Sequence, residues 1–449
     1  MKRLVRSASV FVTVVALVLG ATMPFVGAQD TQKEKPQATE VGVTDKEIRI
    51  AILADVDTPV APGLFKGSQD AVEGFAKYIN KSGGLAGRKL VVDFIDTKLS
   101  ADEARNAVIK ACSENFAMVG TAALFLNNVD DQLACVDKTG AATGLPDIPF
   151  LTTEVQQQCS PITFPVSPPQ LLCDTKDQHP QTYQGSVGRG FYYKKKFGKD
   201  VHGVYIFGSD LKSARNASFS SGLGQLRQVC CKSDRDFDLS SRAPQSEYTP
   251  VAQEIKDKSS TYAQSAGPFN TTVALRKEAK LQGVDSVKVW DCGTQCYDPR
   301  MIEQGGVDIE GQFADTLYLP FFNAADRKAN KMAASFYKSV GADNVGQLGA
   351  PYSWIAAVAF RDAVNVVVKQ HGVNGLTRKN LLAALNGIHE FDADGFYSGV
   401  DLAGRTIGPC HVLNQVKNGK FVRIQPTKPG TFDCPEGGVV NAKLDLLQG

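Results

Sequence analysis

Apolar residues recur along this chain as short continuous runs that alternate with helically spaced positions. Four early runs predict buried strands, at Ile48–Ala54, Lys89–Ile95, Phe116–Gly120 and Ile148–Thr152. The segments between them place apolar residues three or four positions apart and predict helices around Val72–Ile79, Ala104–Ala111 and Asn127–Lys138. Strands that alternate with helices predict a parallel sheet with right-handed crossovers.

The alternation starts again after a proline-rich stretch, Cys159–Pro180, which we interpret as a crossing between two lobes. The predicted elements of this second part are strand 201–207, a helix to about Leu223, a strand near Leu226–Cys231, a polar insertion at 232–246, helix Thr249–Asp257, strand Thr261–Ala266, helix Thr271–Gln282 and strand Ser286–Trp290. The remaining predictions are a second crossing strand within Gly311–Pro320, helices Ala324–Val340, Pro351–Gln370 and Arg378–Gly387, and a tail of strands and turns over Phe391–Ile424. A chain that crosses between lobes three times predicts a hinge.

The first residues have the pattern of an export signal. Lys2, Arg3 and Arg6 precede an apolar run too short to span a bilayer, and small residues ending at Ala28 suit a signal peptidase. We therefore expect cleavage near Ala28 and a soluble, monomeric mature protein in the periplasm or cell envelope. No cysteine precedes Cys112, so we expect no lipid anchor. The polar stretch 29–44 predicts a disordered leader.

Ten cysteines in an exported chain favour disulfides. The local pairs that we predict are Cys112 with Cys135, Cys159 with Cys173, Cys292 with Cys296, and Cys410 with Cys434. The partners of the adjacent Cys230 and Cys231 cannot be deduced from spacing. A zinc site built from these two residues with Cys292 and Cys296 is the alternative, although the spacing fits zinc poorly.

Charge and motifs argue against several classes of function. The net charge is +2, from 49 basic and 47 acidic residues, which gives no reason to expect nucleic acid or a membrane surface as a partner. The five histidines are scattered, and no hydrolase or metalloprotease motif is present. Gly185–Gly190 (GSVGRG) resembles a phosphate loop only weakly. We therefore expect a protein that is not an enzyme and that needs no cofactor and no metal.

Several segments, in their order and spacing, resemble the branched-chain amino acid type of periplasmic solute-binding proteins of ABC transporters. The segments are Gly42–Ile48, Ile79–Arg88, Ala274–Ala279, Gly399–Gly404 and Gln415–Phe421. The resemblance implies an α/β fold of two Rossmann-like lobes with parallel sheets, joined by a three-strand hinge. It implies lobes at 45–160 plus 323–390 and at 161–322 plus 391–449, with a small organic solute in the cleft and a membrane permease as partner.

The ligand site is expected where loops follow the carboxyl ends of the parallel strands. The candidate residues at these ends are Ala123, Leu124, Thr152, Thr153, Glu154, Ser209, Gly267, Phe269 and Asp291. By resemblance, the two threonines would bind a ligand carboxylate and Asp291 would lie near the acidic position that meets an ammonium group. Each candidate has a local alternative: the threonines could end a strand, Asp291 could brace the Cys292–Cys296 loop, and Phe269 could be a packing residue.

The chain departs from the family pattern at the positions that would recognise an amino acid. Ala122–Phe125 stands where a serine is common, and Gly267-Pro268 replaces an aromatic residue. These departures suggest a less polar ligand, or one without a zwitterionic head. The solute that we expect is an amino acid or a related amide or organic acid. Transport is the function that we expect, and sensing for a signalling partner is the alternative.

Overall fold

Two four-stranded parallel sheets carry the alternation that the sequence predicts. The first sheet has the order β2-β1-β3-β4, from strands β1 (Glu47–Ala54), β2 (Lys89–Asp96), β3 (Ala117–Val119) and β4 (Asp147–Ile148). Its helices are α1 (Lys66–Lys81), α2 (Ala101–Glu114), α3 (Asp130–Leu133) and α4 (Val155–Gln158). The computed structural model describes residues 34–58, 62–167 and 170–447, of which the part from Lys35 onward forms one compact unit. The predicted signal peptide lies outside the described residues.

The second sheet has the order β7-β6-β8-β9 and is entered through strand β5 (Gln181–Ser186) and helix α5 (Gly188–Phe197). Its elements follow in chain order as β6 (His202–Gly208), α6 (Lys212–Phe219), a π-helical segment (Ser220–Leu226), α7 (Arg227–Val229), β7 (Lys232–Leu239), α8 (Thr249–Lys258), β8 (Tyr262–Ser265), α9 (Phe269–Leu281), β9 (Val289–Asp291) and α10 (Pro299–Gly305). All pairings in this sheet are parallel.

A smaller antiparallel sheet, β10-β13-β14, contains the predicted second crossing strand. The elements of this last part are β10 (Phe313–Thr316), α11 (Ala324–Ala329), α12 (Lys331–Val340), α13 (Ala350–His371), α14 (Arg378–Leu385), β11 (Val400–Asp401), β12 (Thr406–Ile407), β13 (Val412–Lys417), β14 (Lys420–Gln425) and β15 (Val439–Leu444). Strand β15 returns to pair with β5. Helix α13 packs on α1, with buried Trp354 edge-on to Phe75 at 5.1 Å between ring centroids.

The prediction was wrong where the second sheet has its edge. Leu226–Cys231 is not a strand. Leu226, which is fully buried, ends the π-helical segment, and Arg227–Val229 forms α7. The strand lies instead within the predicted polar insertion 232–246, at Lys232–Leu239. As β7 it pairs on one side only, with β6. An edge strand tolerates charged side chains, and for this reason its sequence lacks the apolar alternation of a half-buried strand.

Two predicted helices are shorter or broken, and polar side chains explain both. Within Asn127–Lys138 only Asp130–Leu133 is helical; Asp137 then accepts the N–H groups of Thr139 and Ala141 in a turn. Ala324–Val340 is split at Asn330, whose side chain accepts the N–H of Ala333 at 2.8 Å and so begins a new helix.

Part of the predicted disordered leader is bound to the first sheet's side of the molecule. Arg88, which is buried, donates to the carbonyl oxygens of Gln37 at 2.8 Å and Thr44 at 2.6 Å. Glu40 accepts the N–H of Arg378 at 3.0 Å. Residues 35–44 are therefore ordered by polar contacts, which the polar composition of this segment does not predict. Residues 29–33 lie outside the described residues.

All ten cysteines are paired in the structure. The four predicted pairs are present, with Cα separations of 5.7 Å for Cys112–Cys135, 5.5 Å for Cys159–Cys173, 6.0 Å for Cys292–Cys296 and 4.1 Å for Cys410–Cys434. The fifth pair joins Cys230 to Cys231. The zinc alternative is therefore not supported, since its four sulfur atoms belong to two separate disulfides.

Candidate functional site

The loops after the first sheet are organised by Asp55, a buried aspartate that directly follows β1. One carboxylate oxygen accepts the hydroxyl of Thr97 at 2.5 Å and the N–H of Leu99 at 2.7 Å. The other accepts the N–H of Leu124 at 2.8 Å. Three neutral donors from two other loops thus hold the carboxylate. The loop that contains Ala123 and Leu124 is held to Asp55 through the backbone N–H of Leu124.

Two of the predicted first-sheet residues, Thr153 and Glu154, line a cavity of about 280 Å³. Ala123, Leu124 and Thr152 do not belong to the described lining, and Ala123 is fully buried. Thr153 donates its hydroxyl to the carbonyl of Leu124 at 2.9 Å, which is the local role that the sequence left open. Thr152 is buried, and its hydroxyl has no partner among the described residues. The opposite wall comes from α6 and from Leu446 and Leu447 near the end of the chain.

A second cavity, of about 320 Å³, lies where α5, the π-helical segment, β8 and the crossing strand β10 meet α13. Its polar walls come from Arg189, Gln225, Gln264 and Asp315, and Tyr352 of α13 adds an aromatic surface. Gln170 and Ala217 line both cavities, which makes the two cavities neighbours. We call the 320 Å³ cavity the central cavity. It is bounded by elements of the second sheet, by the crossing strand and by the helix that packs on the first sheet.

A buried ionic cluster forms one wall of the central cavity. Arg189 donates through Nε to Asp291 at 3.0 Å, and its Nη1 lies 3.5 Å from Asp315. Asp315 also accepts Nδ1–H of His411 at 2.6 Å. Burial works against protonation of His411, but Asp315 and the more exposed Asp433 outweigh it and raise the pKa of His411 to about 9. Burial likewise opposes the charge on Arg189, yet Asp291 and Asp315 hold the pKa of Arg189 above its usual value.

Asp291, the predicted contact for a ligand ammonium group, lies behind the cavity wall. Its carboxylate accepts Arg189 and the hydroxyls of Tyr193 and Tyr262, both at 2.7 Å, and its side chain has no exposed surface. A ligand could reach it only by displacing one of these donors. The loop after Asp291 lines the cavity, but the carboxylate points inward, and Arg189 lies between it and the cavity.

The remaining second-sheet candidates lie outside both cavities. Ser209 is exposed, and its N–H donates to the carbonyl of Leu239 at 3.0 Å. Gly267 is buried against Thr271, since a Cβ there would lie 2.8 Å from the threonine hydroxyl. Phe269 stacks beneath Arg300, with 5.2 Å from its ring centroid to the guanidinium carbon. Phe269 thus has the packing role that the sequence left as its alternative.

The GSVGRG segment contributes to the cavity wall through its small residues. A Cβ on Gly185 would lie 1.2 Å from the side-chain oxygen of Gln225, and one on Gly188 would lie 2.4 Å from the ring of His411. Both glycines therefore make room for residues of the central cavity and its ionic cluster. Sequence reasoning missed Arg189, Gln225, Gln264 and Asp315; the glycines around Arg189 were the one signal that marked this segment.

Comparisons with known proteins show the family to which the chain belongs. A family model described as "Periplasmic binding protein" matches residues 47–420, and the chain belongs to this family of binding proteins. The family comprises substrate-binding proteins of ABC transporters rather than enzymes. No curated protein matches the chain. Among the described residues, no helix is both long and apolar enough to cross a membrane.

Solved structures share the fold at low sequence identity. An ABC transporter substrate-binding protein from Aeropyrum pernix has a TM-score of 0.65 and 16% identity, over 87% of this chain and 96% of that one. A fatty acid ABC transporter substrate-binding protein from Thermomonospora curvata has a TM-score of 0.61 and 16% identity, over 87% and 97%. A leucine-binding protein from Thermotoga maritima has a TM-score of 0.56 and 15% identity, over 84% and 97%. The type I periplasmic binding fold is therefore shown.

Proposed function

We propose that the protein is the exported solute receptor of an ABC importer. It captures a small organic solute in the central cavity and delivers it to a permease in the membrane. The observation that carries the proposal is the composition of the cavity wall: Gln264 lies on β8 of the second sheet, Asp315 lies on the crossing strand, and Tyr352 belongs to the helix packed on the first sheet. A solute held by all three would bridge the two halves of the molecule.

Closure around the solute follows from this bridging. The lobes that we propose are 45–160 with 323–390, and 161–322 with 391–449. A solute that contacts both of them binds the closed form better than the open form and shifts the population toward closure. Thr153 and Glu154 would take part through the neighbouring cavity. The permease would then recognise the closed form.

A thermal-shift screen of the mature protein against a broad library of amino acids, amides, organic acids and sugars tests the proposal. A solute at a hundred times its dissociation constant adds about 2.7 kcal/mol to the free energy of unfolding, which raises the melting temperature by several degrees. Small-angle X-ray scattering should show a smaller radius of gyration with the same solute.

The matched variants are Ala217→Trp, which places a ring at the wall shared by both cavities, and Ala101→Trp at an exposed position of α2. Ala217→Trp should abolish the thermal shift, whereas Ala101→Trp should retain it. A library without any stabilising solute, or equal binding by the two variants, would contradict the proposed site.

A further inference from the structure

The ionic groups at the central cavity compensate one another. Two cations, Arg189 and His411, face two carboxylates, Asp291 and Asp315, at separations of 2.6 to 3.5 Å. Only Arg189 and Asp315 reach the cavity surface, and each is already engaged by an opposite charge. Asp433 lies 3.6 Å from the far nitrogen of His411, with a partly exposed side chain. The described part of the wall therefore offers a solute no uncompensated buried charge.

The unpaired polar groups of the cavity are amides and a hydroxyl. Gln225 and Gln264 are 1% and 5% exposed, and each has a side-chain amide atom without a hydrogen-bond partner among the described residues. The hydroxyl of Ser186 is unpaired in the same way, and all three residues line the cavity. Because the oxygen and nitrogen of a glutamine amide can exchange places by a flip, each glutamine offers either a donor or an acceptor.

Among the described residues of the central cavity, a charged solute would meet only charges that already have an opposite partner. Burying an ion without a partner is far more costly than burying a neutral group that forms hydrogen bonds. A carboxamide has one strong acceptor and two donors, which are the groups that two glutamines and a serine can satisfy together. We propose that the solute is a neutral molecule bearing a carboxamide or an equivalent donor–acceptor pair, held by Gln225, Gln264 and Ser186. This inference rests on the proposed function and names the class of solute for the same cavity.

Isothermal titration calorimetry with isosteric sets of solutes tests the proposal. Isobutyramide, isobutyrate and isobutylammonium have similar shapes but different charges, and benzamide, benzoate and benzylammonium form a larger set. Valine adds the zwitterion. Leaving a buried polar group or a charge unpaired costs enough to weaken binding about tenfold or more, so each amide should bind at least about tenfold more tightly than its charged counterparts.

Two substitutions separate the amide contacts from the charge balance. Gln264→Leu should weaken amide binding about tenfold, whereas Gln304→Leu, at an exposed position on α10, should leave it unchanged. Asp315→Asn keeps the shape of the side chain but leaves Arg189 with one carboxylate fewer. This variant should move the preference toward isobutyrate or benzoate. Circular dichroism and the melting temperature establish that each variant is folded.

The outcomes distinguish this inference from the proposed function. Tighter binding of valine or of either ion series than of the amides overturns the neutral solute while leaving a solute receptor in place. Equal amide affinity in Gln264→Leu and Gln304→Leu overturns the assigned contacts. Absence of binding by every member of both sets also overturns the inference, whereas the receptor function is judged separately by the broad library and the Ala217→Trp variant.

Discussion

Each parallel sheet has a buried aspartate at the carboxyl end of a strand, and the two are held in different ways. Asp55, after β1, accepts two backbone N–H groups and a threonine hydroxyl from adjoining loops. Asp291, at the end of β9, accepts a guanidinium group and two tyrosine hydroxyls. The first carboxylate organises local loops, whereas the second begins a chain of charges that runs through Arg189 to the crossing strand. Of these two carboxylates, only Asp291 forms an ion pair among the described residues.

The largest expected effect is that of Asp291→Ala. Removing one partner of a buried ion pair leaves Arg189 less compensated and two tyrosine hydroxyls unpaired, so the free energy of unfolding should fall by about 3–5 kcal/mol. Urea denaturation of the variant and the wild type measures the difference. The double variant Arg189→Met/Asp291→Leu should lose less than Asp291→Ala alone. A larger loss in the double variant would show that charge compensation is not what Asp291 contributes.

The next effect is a dependence of stability on pH that originates at His411. The pKa of this residue is about 9 in the folded protein against 6.5 for ordinary histidine, so the folded state binds the proton more strongly. Its stabilisation is complete below about pH 6.5 and is lost as the pH rises through about 9, a change of about 3 kcal/mol.

Denaturation of the wild type and of His411→Gln over this pH range isolates the effect. The difference in free energy of unfolding between the two proteins should shrink steadily as the pH rises from 6.5 to 9. A difference that stays constant across this range would show that His411 is not charged in the folded state.

The smallest effect is expected for Asp55→Asn. The asparagine oxygen can still accept from one side, but its NH₂ group meets a donor on the other, so one hydrogen bond is lost and the free energy of unfolding falls by about 1–2 kcal/mol. Chemical denaturation gives this value, and Asp57→Asn at a neighbouring position serves as the control. A loss as large as that of Asp291→Ala would remove the distinction between the two carboxylates.

Much of the fold was predictable from the sequence because buried parallel strands have continuous apolar runs. Strands β1 and β6, each paired on both sides, lie at the predicted positions for this reason. Strand β7 was missed because this edge strand has charged residues where the pattern requires apolar ones, whereas the edge strand β2 keeps an apolar run and was predicted. The break at Asn330 depends on a side-chain cap that leaves no mark on apolar spacing.

The candidate site was less accessible to sequence reasoning. The expectation that a ligand site lies in the loops after the carboxyl ends of parallel strands identifies loops, and two of the residues that it selected, Thr153 and Glu154, line a cavity. It does not say where a side chain points, and the inward direction of Asp291 is set by Tyr193, which is 98 residues away in sequence. Gln225 lies in a π-helical segment within a predicted helix–strand boundary, so no local pattern marked it as a wall of the cavity.

Arg88 has a practical consequence for protein engineering. Its guanidinium group ties Gln37 and Thr44 to Val373, at the end of the first sheet where β1 and β2 begin. The candidate cavities are associated with the opposite ends of the strands. A reporter or affinity tag joined ahead of residue 35 would thus be attached at the end of the first sheet opposite to the candidate cavities, which favours this position for building a solute biosensor. Leu446 and Leu447, by contrast, line a cavity wall, so a tag placed next to them would lie beside the candidate site.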